Sequence, residues 1–147
     1  MVDLIVPFTF KQLDHLVLRT ENIEDLKEFY LGLGCNVVRD QRETLGLLQL
    51  SLGASMLDLV DVHGQLGQAG GAGPGPTGRN LDHFAVRVEP FDIDRIVNFC
   101  RRLGVNATPA SQLLLGADGY GEAVYIEDPD GNRIELKGPP VDENEGV

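Results

Sequence analysis

The chain repeats one strand-like signature: Leu13-Asp14-His15-Leu16-Val17-Leu18-Arg19 returns as Leu81-Asp82-His83-Phe84-Ala85-Val86-Arg87. A segment with helical spacing follows each copy, Ile23 to Gly34 and Ile93 to Gly104. Each half then closes on an acid between two aliphatics, Leu57-Asp58-Leu59 and Ile134-Glu135-Leu136. At 147 residues the chain is about as long as one domain, so the two halves must share a core. The repeat therefore predicts an α+β fold made of two paired modules of the same design.

Within the first half, Leu13 to Arg19 reads as a strand. Asn22 is placed to cap a helix whose apolar stripe is Ile23, Leu26, Phe29, Tyr30 and Leu33, and Gly34 ends it. Strands are expected over Cys35 to Arg39, Leu45 to Leu52 and Met56 to Val62, which gives βαβββ. The second half follows the same order. A strand over Leu81 to Val88 leads to a helix capped by Asp92, with a stripe of Ile93, Ile96, Val97, Cys100 and Leu103 and a closing Gly104. Strands then follow over Val105 to Thr108, Gly121 to Glu127 and Arg133 to Lys137.

The expected layout is an N-terminal extension over 1–12, a module over 13–62, a Gly-rich linker over 63–80, a module over 81–138 and an acidic tail over 139–147, of which Val141 to Val147 is expected to fray. Gly64 to Gly78, with Pro74 and Pro76, lacks the side chains to bury much surface and reads as a mobile connector or a flap. No GxGxxG or GxxxxGK[ST] order supports a nucleotide loop there.

A net charge of −11 without a Lys/Arg cluster argues against nucleic acid or an anionic membrane surface as partner, and acidity of this degree mostly serves solubility. No signal-peptide pattern and no run of about 18 apolar residues occurs, so a cytoplasmic protein is expected. Cys35 and Cys100 stand far apart outside any CxxC motif, as buried thiols of a reducing compartment would.

Strand parity tests whether the repeated polar residues share a surface, because alternate residues of a strand face opposite sides. Leu16 and Leu18 face the helix and send His15 to the other side; Phe84 and Val86 do the same for His83. The flanking aliphatics likewise place Asp58 and Glu135 on that open side. If the halves pair, the four side chains can converge in one cleft. Imidazole and carboxylate donors without thiolate suit a divalent ion such as Ni, Zn, Co, Mn or Fe(II). His63, at the start of the Gly-rich linker, is expected to be exposed and not a ligand.

The segment Ile126-Glu127-Asp128-Pro129-Asp130-Gly131-Asn132-Arg133-Ile134-Glu135-Leu136 resembles the "DPDGN.IEL" hairpin of the vicinal oxygen chelate superfamily, the glyoxalase/bleomycin-resistance/dioxygenase proteins. The resemblance extends from about Leu13 to Gly138. It implies two βαβββ modules forming a U-shaped cup around a metal, usually in a homodimer, with open coordination positions for vicinal oxygens of a substrate. By position, His15, His83 and Glu135 match the recurrent His-His-Glu ligands. Asp58 matches the first-module acid of glyoxalase I, where Glu is usual. Gly53 precedes Asp58 by one residue more than Gly131 precedes Glu135, so an alignment on glycine selects Leu57, whereas parity selects Asp58.

Tyr125 shares parity with the open side and is a candidate for substrate contact or for packing on the cup floor. Arg19, Arg87 and Arg133, with Lys137, share the parity of the ligands and are candidates to hold a carboxylate or phosphate, or simply to solvate strand ends. The loop Leu113 to Gly121 is expected to fold over the cup. The reading that results is a glyoxalase-like lyase or isomerase, in which Glu135 or Asp58 moves a proton on a metal-chelated substrate. Two alternatives stay open: an Fe(II) extradiol-type dioxygenase using three ligands, and a non-enzymatic drug-binding resistance protein.

Overall fold

A computed structural model describes residues 4–141; the acidic tail from 142 onward lies outside the described residues. In the first module β1 (His15–Thr20), α1 (Ile23–Gly32), β2 (Val37–Gln41), β3 (Leu47–Leu52) and β4 (Ser55–Asp61) form a four-stranded sheet of order β1-β4-β3-β2. β1 runs parallel to β4, and the other pairs are antiparallel. The second module repeats this with β5 (Phe84–Arg87), α2 (Ile93–Arg102), β6 (Ala107–Pro109), β8 (Gly119–Glu127) and β9 (Arg133–Pro140), in the order β5-β9-β8-β6. It adds β7 (Leu114–Gly116), which pairs with the start of β8 where a loop was expected. The glycines that suggested a loop make the reversal instead: Gly116 pairs with Gly119, and Gly119 has a φ of 122°.

The helices follow their stripes. α1 buries Leu26 and Tyr30, and α2 buries Cys100 at the matching position. Each module turns out of its helix at a glycine, Gly34 with φ 102° and Gly104 with φ 75°, a conformation side chains resist. Asp92 caps α2, its carboxylate accepting from the Arg95 N–H at 3.0 Å. Asn22 makes no such bond to α1; its amide donates to Asp130 at 3.1 Å instead.

One hydrophobic cluster serves both modules: Leu18, Leu26, Tyr30, Leu48, Leu50, Leu57 and Leu59 of the first pack with Cys100, Val124, Ile126 and Ile134 of the second. Burial of each large aliphatic contributes about 1.5–3 kcal/mol, and the cluster draws on both modules. The open face of each sheet points away from this cluster.

A polar lock joins the modules at the turn between β8 and β9. The Tyr30 hydroxyl on α1 donates to Asp128 at 2.7 Å, and the Asn132 side-chain amide donates to the same oxygen at 2.8 Å. The second Asp128 oxygen accepts the backbone N–H groups of Asp130 and Asn132 at 3.0 and 2.9 Å. Thr20 donates to Asp130 at 2.5 Å. Burial still holds the Asp128 carboxyl above the usual carboxylate range against these donors.

The Gly-rich linker is tied down rather than free. It contains a 3₁₀ turn over Gly67–Gly70, and the Arg19 guanidinium donates to the carbonyls of Gly67, Gly71 and Ala72 at 3.0, 2.8 and 3.0 Å. Gly67 is buried where a Cβ would collide with the Asp61 carbonyl, so the segment approaches β4 as only glycine permits. The absence of side chains, read as mobility, is what allows the close packing.

Candidate metal centre

His15 opens β1 and lies beside Met56 of β4, two positions from the Val17 and Asp58 pair. The parallel register puts His15, Val17, Met56 and Asp58 on one face of the first sheet. Leu57, the other register choice, is fully buried in the core on the opposite face. The Asp58 carboxylate is also buried, and the Gln49 side-chain amide of β3 lies 3.3 Å from each of its oxygens. Gln49 escaped attention in the sequence, although Leu48-Gln49-Leu50 carries the same parity signal as Leu57-Asp58-Leu59.

His83 stands one residue before β5, which begins at Phe84 rather than at Leu81. Its Nε2 lies 3.7 Å from Oε1 of Glu135 on β9, which is buried between the Ala85 and Tyr125 positions of the flanking strands. Two donors about 2.1 Å from one ion stand roughly 3.0–3.5 Å apart at octahedral to tetrahedral angles. A small side-chain closure would therefore bring both onto a single cation.

Tyr125 faces the same side. Its ring meets His83 edge-on at 6.5 Å, and the Arg133 guanidinium lies 4.0 Å from its centroid. Desolvation, then the nearby Glu135 charge, push the Tyr125 phenol above its ordinary value. Tyr125 and Arg133 also line a cleft of about 870 Å³ that extends past Phe29 and Thr108 toward Asp25 and Glu127.

The remaining basic candidates are engaged elsewhere. Arg19 holds the linker carbonyls, and Arg87 pairs with Asp118 in the turn between β7 and β8 and with Glu89 at 2.6 Å. Lys137 is buried, with its amine 3.4 Å from the Gly119 carbonyl. His63 is 75% exposed, 3.9 Å from Glu21. Cys35 and Cys100 are unbonded, and burial pushes both thiols up.

In both halves the imidazole Nδ1 is occupied. His15 Nδ1 lies 2.7 Å from Asp14 Oδ1, and His83 Nδ1 lies 2.5 Å from Asp82 Oδ2. Asp14, and behind it the Asp58 charge, hold the His15 imidazole above its usual 6.5. His83 draws the Asp82 carboxyl below the ordinary range. Two imidazoles with Nδ1 engaged by carboxylates, and two further carboxylates without thiolate, form a donor set that fits a hard or borderline divalent ion. They are arranged as two half-sets, one per module. Among the described residues no three His, Cys, Asp or Glu side chains come together as one metal site.

The fold is that of several solved proteins. A virulence protein from Salmonella typhimurium is 22% identical with a TM-score of 0.72, over 90% of this chain and 99% of that one. A lactoylglutathione lyase from Agrobacterium tumefaciens is 20% identical with a TM-score of 0.62, over 88% and 95%. An antibiotic-binding protein from a Streptomyces species is 22% identical with a TM-score of 0.61, over 90% and 98%. No curated protein matches. No helix among the described residues is long and apolar enough to cross a membrane. The family model of the Glyoxalase/Bleomycin resistance protein/Dioxygenase superfamily matches residues 12–136, and the chain belongs to that superfamily.

Proposed function

We propose that the chain is a divalent-metal enzyme of glyoxalase type, acting on a small molecule with vicinal oxygens, and that two copies complete each site. The observation that carries this reading is the His83–Glu135 pair at 3.7 Å with its counterpart, His15 and Asp58, on the equivalent face of the other module. In a homodimer, the first module of one copy facing the second module of its partner would unite the four donors.

His15, Asp58, His83 and Glu135 would hold the ion, which when bound supplies a Lewis acid that acidifies the substrate C–H next to a carbonyl. Glu135 is the group best placed to move that proton. It is buried on the open face beside His83 and Tyr125, within reach of a substrate held there. Tyr125, braced by Arg133, would orient the substrate from the cleft side. Arg19 and Arg87 would act on the site through the linker and the β7–β8 turn that they hold.

The test combines composition and complementation. Elemental analysis of the purified protein should find one divalent ion per site. Activity on a methylglyoxal–glutathione hemithioacetal should depend on Ni, Zn or Co. His15→Ala and His83→Ala should each be inactive, yet co-refolding them should restore about a quarter of wild-type activity, since random pairing leaves one intact site in each mixed dimer. No recovery would place each site within one chain. The Gln49 contact with Asp58 favours a second reading, in which Asp58 stays off the ion and two His with Glu135 bind Fe(II) as in non-haem oxygenases. Iron-dependent oxygen consumption on a catechol would select that reading. A metal-free protein that binds an antibiotic would select the binding-protein alternative.

A further inference from the structure

Adjacent residues on a regular strand point to opposite faces, so an aspartate should not reach the histidine that follows it. Here it does so twice. The Asp14–His15 and Asp82–His83 contacts occur where the chain enters β1 and β5, at 2.7 and 2.5 Å, and both use Nδ1. The carboxylate side chains are 89% and 92% exposed, so each contact adds little to folding stability. Its consequence is directional. A neutral imidazole whose Nδ1–H is held by a carboxylate must present its lone pair at Nε2, and in the second module that nitrogen faces Glu135.

We infer that Asp14 and Asp82 are positioning residues, which fix the tautomer and ring orientation of His15 and His83 so that each Nε2 is ready to ligate a divalent cation. The inference rests on the metal-centre reading proposed above and extends it to residues that never touch the ion. The repeated Leu-Asp-His, rather than the histidine alone, is then the functional unit of each module.

The experiment uses full-length Asp14→Ala, Asp82→Ala, Asp14→Asn and Asp82→Asn, with circular dichroism to check the fold. Long-range ¹⁵N–¹H correlation spectra of the metal-free protein, at a pH where the imidazoles are neutral, report the tautomer. Calorimetric titration with Zn(II) reports affinity. Wild type should show Nδ1–H at both histidines. Each alanine variant should shift its own histidine toward Nε2–H and weaken Zn(II) binding by about 10- to 100-fold. Asparagine retains an oxygen that accepts from Nδ1–H, so it should preserve the tautomer and recover most of the affinity. Unchanged tautomer and affinity in the alanine variants, with wild type binding Zn(II), would overturn this inference and leave the metal centre standing. Equal losses in Ala and Asn variants would show that charge rather than orientation matters, and would also overturn it. Failure of wild type to bind Zn(II), Ni(II) or Fe(II) would overturn both readings together.

Discussion

The two modules share a frame but not a partner for the other's turn. Tyr30 of α1 and Cys100 of α2 occupy matching helix positions, and both are buried. Tyr30 crosses to Asp128 in the other module, whereas Cys100 packs as an apolar side chain in the common core. The corresponding turn of the first module, at Gly53, is a short reversal between β3 and β4 with no comparable set of carboxylate bonds. The open faces differ as well: Glu135 stands near a histidine, while Asp58 stands near Gln49. A repeated framework thus carries one specialised junction, built from the core position Tyr30, and two unequal half-sites on the open faces.

The sharpest way to break this comparison is to remove the lock. Asp128→Ala strands the Tyr30 hydroxyl and the Asn132 amide in a buried place, and should cost about 3 kcal/mol or more in urea unfolding. A loss below about 1 kcal/mol would mean that the apolar cluster alone joins the modules.

Inequality of the half-sites is tested at the metal. Glu135→Ala should weaken Zn(II) binding by roughly 2–4 kcal/mol, taking one ligand as a fraction of the about 10–16 kcal/mol of a four-ligand site. Asp58→Ala should weaken it less, since Gln49 already engages that carboxylate. Equal losses by calorimetry, with matching changes in the Co(II) spectrum, would make the half-sites equivalent.

Helix starts offer a smaller contrast. Asp92→Ala removes a cap bond and should cost about 1 kcal/mol in thermal unfolding. Asn22→Ala should act through the junction instead, so its effect should vanish in an Asp130→Ala background while that of Asp92→Ala persists.

The smallest effect concerns acid. Arg42 holds the Asp40 carboxyl at about 2 in the fold, below its ordinary 3.8. A depressed folded value contributes stability above the ordinary one and loses it as pH falls toward 2. The pair is exposed, so Asp40→Asn should change stability by less than about 1 kcal/mol at neutral pH and remove that part of the acid dependence. An unchanged acid profile would show that the pair has no net worth.

Alternation and repetition by themselves pointed to βαβββ twice, to Gly34 and Gly104 as the helix ends, and to open-face positions for His15, Asp58 and Glu135, whereas His83 lies just before β5, where strand alternation does not apply. Those features depend on neighbours in sequence, through the two-residue period of a strand and the 3.6-residue period of a helix. Tertiary structure decided what depends on distant partners. It tied the Gly-rich linker to Arg19, turned Asn22 toward Asp130 and sent Tyr30 to Asp128. It converted the loop at Gly116 into a strand pair and set the candidate ligands as two half-sets rather than one. Parity fixes the face on which a side chain lies, but convergence requires the relative placement of two sheets, and no local periodicity encodes that.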